Sequence, residues 1–350
     1  MRVKLPVRKA ILKRQTYEVP SEGRRGKIRL DFNENTSGCS RAVRKALAKL
    51  DTKVIAMYPE YADATKKLAR YFGVRPEELL LTNGGDDALR VFFDTFVEPD
   101  AHVLICEPTF PMYRYYAEIA GAPVQVVRYG PQMEFPFAEA LAALKKKPRV
   151  FFVANPNNPT GTLVPRRVIA ALLRAATHTV VVLDEAYAEF SGETVVPWIR
   201  RYPHLFVART FSKAAGLAGL RLGAVIGSRG SLSLVRRAMP PYPVNLAALA
   251  GALAATQERK VLAHYVKETL RRRLWFTREL EKSGVRVFPS AANFVLADFG
   301  EAGPTFFRKL ARHNIFVRER SRDLGAGFAR ISIGTQAEMD KLLGVLRGRG

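Results

Sequence analysis

The chain has 350 residues, 48% of them hydrophobic and 25% charged, which is long enough for more than one domain and typical of a globular enzyme. No apolar stretch is long enough to span a bilayer, and the first residues lack the apolar core of a secretory signal. Since Cys39 and Cys106 are the only cysteines, we expect no disulfide framework, no metal site and a cytoplasmic location.

The charge of the chain is strongly positive, because 56 basic residues against 32 acidic ones give a net charge of +24. Such a charge favours anionic partners, and nucleic acid is one of them. The basic residues are spread along the chain, and no zinc-ligand spacing or RNA-recognition motif accompanies them. A nucleic-acid-binding protein therefore stays as the non-enzyme alternative. A basic surface that serves anionic substrates is the simpler interpretation.

The first predicted elements are short. Residues 1–30 are basic, lack a clear period and are interpreted as an N-terminal arm. A strand at Leu30 runs into the polar turn that contains Asn33. The hydrophobic spacing then predicts helices over 41–50 and 61–72, with a turn at Tyr58 between them.

Two predicted strands then end in segments suited to ligand binding. The strand over 79–82 leads through Gly84, Gly85 and Asp86 into a helix that runs to about residue 97. Free backbone N–H groups at such a helix start bind anions, although a plain turn capped by Asp86 explains the same pattern. The strand over 102–106 leads to Phe110, at the sheet edge where ligands of α/β proteins collect; a core aromatic is the alternative.

Polar residues also follow the next two apolar strands. A strand over 124–129 and a helix over 137–144 precede the continuous apolar run 150–154, which predicts a strand buried on both faces. It is followed by Asn155-Pro156-Asn157-Asn158-Pro159-Thr160-Gly161, where prolines and glycine fix the amides at the strand end. After a helix over 165–176, an apolar strand from Thr179 ends in Asp184-Glu185-Ala186-Tyr187.

Two interpretations compete for the carboxylate at the end of that strand. A Walker B element would need a phosphate-binding loop of the form G-x-x-x-x-G-K-[ST], and the sequence contains none. A buried strand-end carboxylate such as Asp184 can instead pair with a protonated ring nitrogen, which pyridoxal phosphate requires.

A lysine lies between two further apolar runs, 205–208 and 222–226, in the segment Thr210-Phe211-Ser212-Lys213-Ala214-Ala215-Gly216-Leu217-Ala218-Gly219-Leu220-Arg221. Burial lowers the pKa of a lysine and makes its amine available to form a Schiff base with an aldehyde. Ser212 and Arg221 supply a hydroxyl and a guanidinium suited to a phosphate. Together these residues favour a pyridoxal phosphate site, while a solvated lysine in a turn is the alternative for this segment alone.

The remainder of the chain predicts a second, smaller unit. A proline-rich break over 239–245 is interpreted as a domain boundary, and the helical pattern over 246–282 as more than one helix. Short strands over 285–288, 293–297, 315–318 and 328–333 then alternate with helices, as in an α+β domain. We therefore expect an arm over 1–30, a large cofactor-binding domain over 31–245 and a small C-terminal domain over 246–350.

In combination and in order, these motifs resemble those of the class I and II aminotransferases, which are pyridoxal phosphate enzymes of fold type I. The resemblance covers nearly the whole chain, from Asn33 to Thr335, and is strongest to members that act on histidinol phosphate. It implies an α/β fold in which a large domain has a mostly parallel central sheet flanked by helices, beside a smaller α+β domain. It also implies a homodimer with shared active sites.

The resemblance assigns roles residue by residue. Lys213 would hold the cofactor and move the substrate proton, Asp184 would pair with the ring nitrogen, and Tyr187 would bind the ring hydroxyl. The other implied cofactor contacts are Asn158 at the same hydroxyl, Gly85, Asp86, Ser212 and Arg221 at the phosphate, Phe110 on the ring face, and Tyr58 reaching the partner subunit's cofactor. The implied substrate contacts are Asn33, Asn293, Arg318 and Arg330, with Arg330 the expected ligand of the anionic group.

The implied reaction is a double displacement with small anionic substrates. A phosphorylated amino alcohol, histidinol phosphate, gives its nitrogen to the cofactor, and 2-oxoglutarate then accepts it. Arginine serves both anions. Three departures weaken the substrate assignment: Gly85 where many relatives have Ser, Phe110 where they have Tyr, and Pro243 where Asn is common. An aromatic amino-acid aminotransferase and a threonine-phosphate decarboxylase of the same fold therefore stay open.

Overall fold

The computed structural model describes residues 5–12, 14, 16 and 23–348. The helices of this part are α1 Lys9–Leu12, α2 Arg41–Ala48, α3 Thr52–Ile55, α4 Ala62–Phe72, α5 Gly84–Phe96, α6 Met112–Ala120, α7 Phe137–Leu144, α8 Arg166–Ala175, α9 Ala188–Ser191, α10 Arg229–Arg236, α11 Leu246–Gln257, α12 Arg259–Lys282, α13 Gly303–Arg312 and α14 Gln336–Leu346. The strands are β1 Ile28–Leu30, β2 Leu79–Thr82, β3 Val103–Glu107, β4 Val124–Arg128, β5 Val150–Ala154, β6 Val180–Asp184, β7 Leu205–Thr210, β8 Gly223–Gly227, β9 Arg286–Val287, β10 Phe294–Asp298, β11 Ile315–Glu319 and β12 Phe328–Ser332. None of these helices combines the length and apolarity that a membrane crossing needs.

The larger sheet has seven strands in the order β2-β8-β7-β6-β5-β3-β4. Neighbouring strands of this sheet are parallel, except that β8 runs antiparallel to both β2 and β7. This arrangement confirms the predicted, mostly parallel sheet. Successive residues of β5 enter different cores, with Phe151 and Val153 in one and Phe152 and Ala154 in the other. This alternation explains why the strand is apolar throughout, because helices cover both faces of the sheet.

The smaller sheet has five strands in the order β1-β11-β12-β10-β9 and its own apolar core. Its edge strand β1 pairs parallel with β11, so that Leu30 lies opposite Val317. No local pattern indicates this pairing, because almost the entire chain separates the two strands. The pairing fixes where the segment after Leu30 begins, and that segment carries Asn33.

The predicted division of the chain into an arm and two domains stays a prediction. Two elements next to the predicted boundaries belong to the neighbouring sheet or its core. Strand β1, at the end of the predicted arm, belongs to the smaller sheet. Helix α11, which follows the predicted boundary at residue 245, packs into the core of the larger sheet through Ala248, Leu249 and Ala252. The part of the predicted arm before residue 23 lies mostly outside the described residues.

Candidate active site

The carboxyl ends of β5, β6 and β7 lie at one edge of the larger sheet, beside a cavity of about 630 Å³. Most of the site residues predicted from the sequence line this cavity: Asn33, Gly85, Asp86, Phe110, Asn158, Asp184, Tyr187, Ser212, Lys213, Arg221, Arg318 and Arg330. Two do not. Asn293 is fully buried behind the cavity wall, where its Nδ2 donates to the carbonyl oxygen of Asn33 at 3.1 Å. Tyr58 is 75% exposed and stacks on Tyr242 with ring centroids 4.4 Å apart.

Lys213 follows β7, and its amine lies inside the cavity. The Nζ atom donates to the carbonyl oxygen of Phe32 at 2.9 Å. Burial, together with the nearby charge of Arg330, lowers the pKa of Lys213 to about 8. About a tenth of this amine is therefore neutral at pH 7, far more than for an exposed lysine, and only the neutral amine is a nucleophile or a base.

Asp184 is the last residue of β6 and lies in register with Ala208 of β7. Its Oδ2 accepts a hydrogen bond from the Tyr113 hydroxyl at 2.7 Å, and its Oδ1 accepts one from the backbone N–H of Ala186 at 3.1 Å. Burial raises its pKa, and the two donors oppose that effect. Within the described chain Asp184 forms no ion pair, so its charge is open to a cation in the cavity, such as a protonated ring nitrogen.

A chain of amides and hydroxyls joins the two sheets at the other wall. Asn33, in the left-handed region with a φ of 56°, donates from Nδ2 to the Tyr187 hydroxyl at 2.8 Å. Its backbone N–H donates to the Ser332 hydroxyl at 2.9 Å. On the same side, Nη1 of Arg330 donates to Oδ1 of Asn158 at 2.5 Å. Side chains on and next to the smaller sheet, Arg330 and Asn33, thus fix the positions of Asn158 and Tyr187, which follow strands of the larger sheet.

The mouth of the cavity next to α5 has the parts of an anion site. Helix α5 begins at Gly84, and an added Cβ there would lie 2.7 Å from Nη2 of Arg221, so a glycine lets this guanidinium approach. Nη2 of Arg221 also donates to Asp86 at 2.8 Å, and Thr210 Oγ1 donates to Ser212 Oγ at 2.9 Å. Free N–H groups at the helix start, a guanidinium and hydroxyls are together suited to a phosphate.

Two further cavity residues, Arg209 and Arg320, received no role from the sequence. Arg209 is buried and pairs with Glu185 at 3.1 Å and with Glu189 at 2.6 Å, so its charge is compensated within the protein. Arg320 lies two residues after Arg318. That period of two could have placed both side chains on one face of a strand.

Comparison with known proteins agrees with this geometry. The family model described as aminotransferase class I and II matches residues 25–346, and the chain therefore belongs to that family. The chain is 35% identical over 337 residues to the histidinol-phosphate aminotransferase of Geobacillus sp. (strain WCH70), covering 91% of this chain and 89% of that one. It is 36% identical over 326 residues to the enzyme of the same name from Geobacillus thermodenitrificans, covering 90% and 88%. Among solved structures, the histidinol-phosphate aminotransferase from Sinorhizobium meliloti in complex with pyridoxal-5'-phosphate is similar with a TM-score of 0.90, at 26% identity over 100% of both chains.

Proposed function

We propose that this chain is a pyridoxal phosphate-dependent aminotransferase of histidine biosynthesis. It transfers the amino group of L-histidinol phosphate to 2-oxoglutarate, which gives imidazole-acetol phosphate and glutamate. One observation carries the chemistry. A lysine of lowered pKa and a half-buried carboxylate, which has no ion pair among the described residues, face the same cavity beside an anion site. The relatives and the cationic end of the cavity support the phosphorylated donor.

The cavity residues fit the cofactor. Asp184 would hold its ring nitrogen, Lys213 its aldehyde carbon and Phe110 one face of its ring. The ring hydroxyl would meet Asn158 and Tyr187, and the phosphate would meet Gly85, Asp86, Ser212 and Arg221. When bound, pyridoxal phosphate supplies the electron sink that stabilises a carbanion at the substrate carbon.

The other tasks fall to this chain's own side chains. Nζ of Lys213 takes the proton from the substrate carbon that bears the amino group, because its lowered pKa makes it a competent base near neutral pH. Asp184 keeps a negative charge at the floor of the cavity. Arg318 and Arg330 bind the anionic end of the donor, and the same guanidinium groups then bind one carboxylate of 2-oxoglutarate.

The alternatives of the same fold are less favoured. The donor of an aromatic amino-acid aminotransferase has a single carboxylate as its anionic group, whereas the end of this cavity carries three guanidinium groups, those of Arg318, Arg320 and Arg330. The relatives named above are histidinol-phosphate aminotransferases, not threonine-phosphate decarboxylases or nucleic-acid-binding proteins. The positive net charge is compatible with two anionic substrates.

We also propose that the protein is a homodimer in the cytoplasm. Five large apolar side chains close together in sequence or in space are solvent-exposed by 46% to 75%: Val54, Ile55, Met57, Tyr58 and Tyr242. An exposed patch of this kind is typical of an interaction surface. In a dimer, Tyr58 would reach the partner subunit's cofactor. Both cysteines are free thiols, which fits a reducing compartment.

A half-reaction on the purified holoenzyme tests the substrate assignment. L-Histidinol phosphate and L-phenylalanine are added separately, and the loss of the cofactor's absorbance band is followed. Fast conversion with histidinol phosphate alone supports the proposal. Equal or faster conversion with phenylalanine would move the enzyme to aromatic amino-acid metabolism, and a protein that takes up no pyridoxal phosphate would refute the cofactor assignment.

A further inference from the structure

The end of the cavity next to the smaller sheet holds three arginines, which lie on one face of that sheet. Arg318 and Arg330 lie opposite each other on the paired strands β11 and β12. The backbone N–H of Arg320 donates to the carbonyl oxygen of Phe328 at 2.8 Å, which extends the same pairing by one step. Since alternate residues of a strand point to the same face, Arg320 joins the other two in the cavity wall.

These three guanidinium groups carry more positive charge than the neighbouring acidic side chains neutralise. Arg330 donates to Asn158 and to the backbone carbonyl of Asp31, and forms no ion pair within the described chain. Arg318 likewise has no ion-pair partner among the described residues. Arg320 pairs with Asp323, yet its Nε is buried and has no hydrogen-bond partner among the described residues.

The remaining acidic groups near this end are engaged elsewhere. Glu34 lines the cavity but lies 3.3 Å from Arg24 and 3.5 Å from Arg29. Burial, followed by the charges of Arg320 and Arg318, lowers the pKa of Arg330 to about 10. The three guanidinium groups thus repel one another until an anion enters.

We propose that Arg320 is a specificity-determining residue that binds the second negative charge of a phosphate monoester on the amino donor. This inference rests on the function proposed above. A phosphate monoester carries a charge of about −1.5 to −2 at neutral pH, whereas a carboxylate carries one. At this end of the cavity, Arg318 and Arg330 suffice for one of the two carboxylates of 2-oxoglutarate. Arg320, whose ion pair within the described chain is with Asp323, adds a third guanidinium group at this end, and the second charge of the phosphate gives that group a partner on the donor.

A purely structural role for Arg320 makes a different prediction. Arg320 begins the turn that leads to β12, in which the N–H of Leu324 donates to its carbonyl oxygen at 2.9 Å. That bond belongs to the backbone and does not need the guanidinium group. If the ion pair with Asp323 only shaped this turn, loss of the guanidinium would lower the melting temperature and reduce the half-reaction rate with every substrate alike.

The test compares three variants of the holoenzyme: Arg320→Gln, Arg320→Lys and the control Arg322→Gln. The control removes the same charge from an exposed position in the same turn, outside the cavity lining. The half-reaction is measured with L-histidinol phosphate, with L-histidinol, which lacks the phosphate, and with L-glutamate. Melting temperatures are recorded in parallel.

Arg320→Gln should raise the KM for histidinol phosphate about 10- to 100-fold, the size expected for a hydrogen bond to a charged group. Histidinol and glutamate should change far less, Arg320→Lys should recover part of the loss, and Arg322→Gln should behave as wild type. An unchanged preference for the phosphorylated donor in Arg320→Gln would overturn the inference, as would equal losses with all three donors. If instead the wild type reacts no faster with histidinol phosphate than with histidinol, the proposed substrate itself is wrong.

Discussion

The hydroxyl of Tyr113 donates to the carboxylate of Asp184 at 2.7 Å. Tyr113 is fully buried and stacks on Phe152 with ring centroids 5.1 Å apart, so this donor has little freedom to move. Burial, and then the neighbouring carboxylate, raises the pKa of Tyr113 well above its ordinary value. The phenol is therefore a permanent donor that offsets part of the desolvation of Asp184 and fixes its orientation.

The first prediction follows from that hydrogen bond. Tyr113→Phe should raise the pKa of Asp184 further and weaken its hold on a protonated ring nitrogen. Loss of one hydrogen bond to a charged group corresponds to about a tenfold rise in the dissociation constant of pyridoxal phosphate, measured by fluorescence titration of the apoenzyme. Tyr129→Phe, which removes another buried hydroxyl outside the cavity lining, is the control. Equal affinities in the two variants would contradict the role of Tyr113.

The second prediction concerns the carboxylate itself. Asp184→Asn keeps the shape of the side chain and its hydrogen bond from Ala186 but removes the negative charge. The variant should still bind pyridoxal phosphate, yet the half-reaction should slow by at least about a hundredfold, as for loss of a preorganised electrostatic partner. Stopped-flow absorbance gives both quantities. Near-normal rates would show that Asp184 does not pair with the ring nitrogen.

The third prediction concerns the protonation of Lys213, whose pKa is lowered to about 8. Because only the neutral amine attacks an aldehyde, covalent capture of pyridoxal phosphate by the apoenzyme should accelerate about tenfold per pH unit below that pKa and level off above it. Borohydride reduction followed by mass spectrometry quantifies capture. Lys213→Ala should show no capture at any pH and no transamination. Substantial turnover in this variant would remove the central claim.

Local sequence patterns predicted the parts of the site that lie at strand ends. An apolar run followed by a polar residue marks Asp184 at the end of β6, and the same logic marks Asn158 after β5. Lys213 follows β7 in the same way, so the parallel sheet alone brings these side chains to one edge. The predicted helix over 137–144 and strand over 79–82 also match the structure residue for residue.

Local sequence patterns could not predict the contacts between segments that are distant in the chain. Tyr113 and Asp184 are 71 residues apart, and the sequence marks Tyr113 only as one aromatic among several. The position of Asn33 depends on the pairing of β1 with β11, and its hydrogen bond to Ser332 spans 299 residues. Helices α6 and α10 were not predicted, although Gly121 ends α6 and Ser228 caps the start of α10.

The last prediction tests the close approach that shapes the anion site. Gly223 lies between β2 and β7, and an added Cβ there would stand 2.4 Å from the carbonyl oxygen of Gly84 and 2.8 Å from Oγ1 of Thr82. Since the nearest atom is backbone, Gly223→Ala forces the start of α5 to shift. It should lower the free energy of unfolding by about 1–3 kcal/mol and weaken the binding of pyridoxal phosphate.

Gly230→Ala is the matched control, because Gly230 lies in helix α10 with no atom within 4 Å of an added Cβ. That variant should change the free energy of unfolding by at most about 0.5–1 kcal/mol, the gain for Ala in place of Gly in a helix interior, because Gly230 lies in the first turn of α10. Urea unfolding measures both changes, and equal effects of the two substitutions would show that the turn before α5 tolerates a side chain at Gly223.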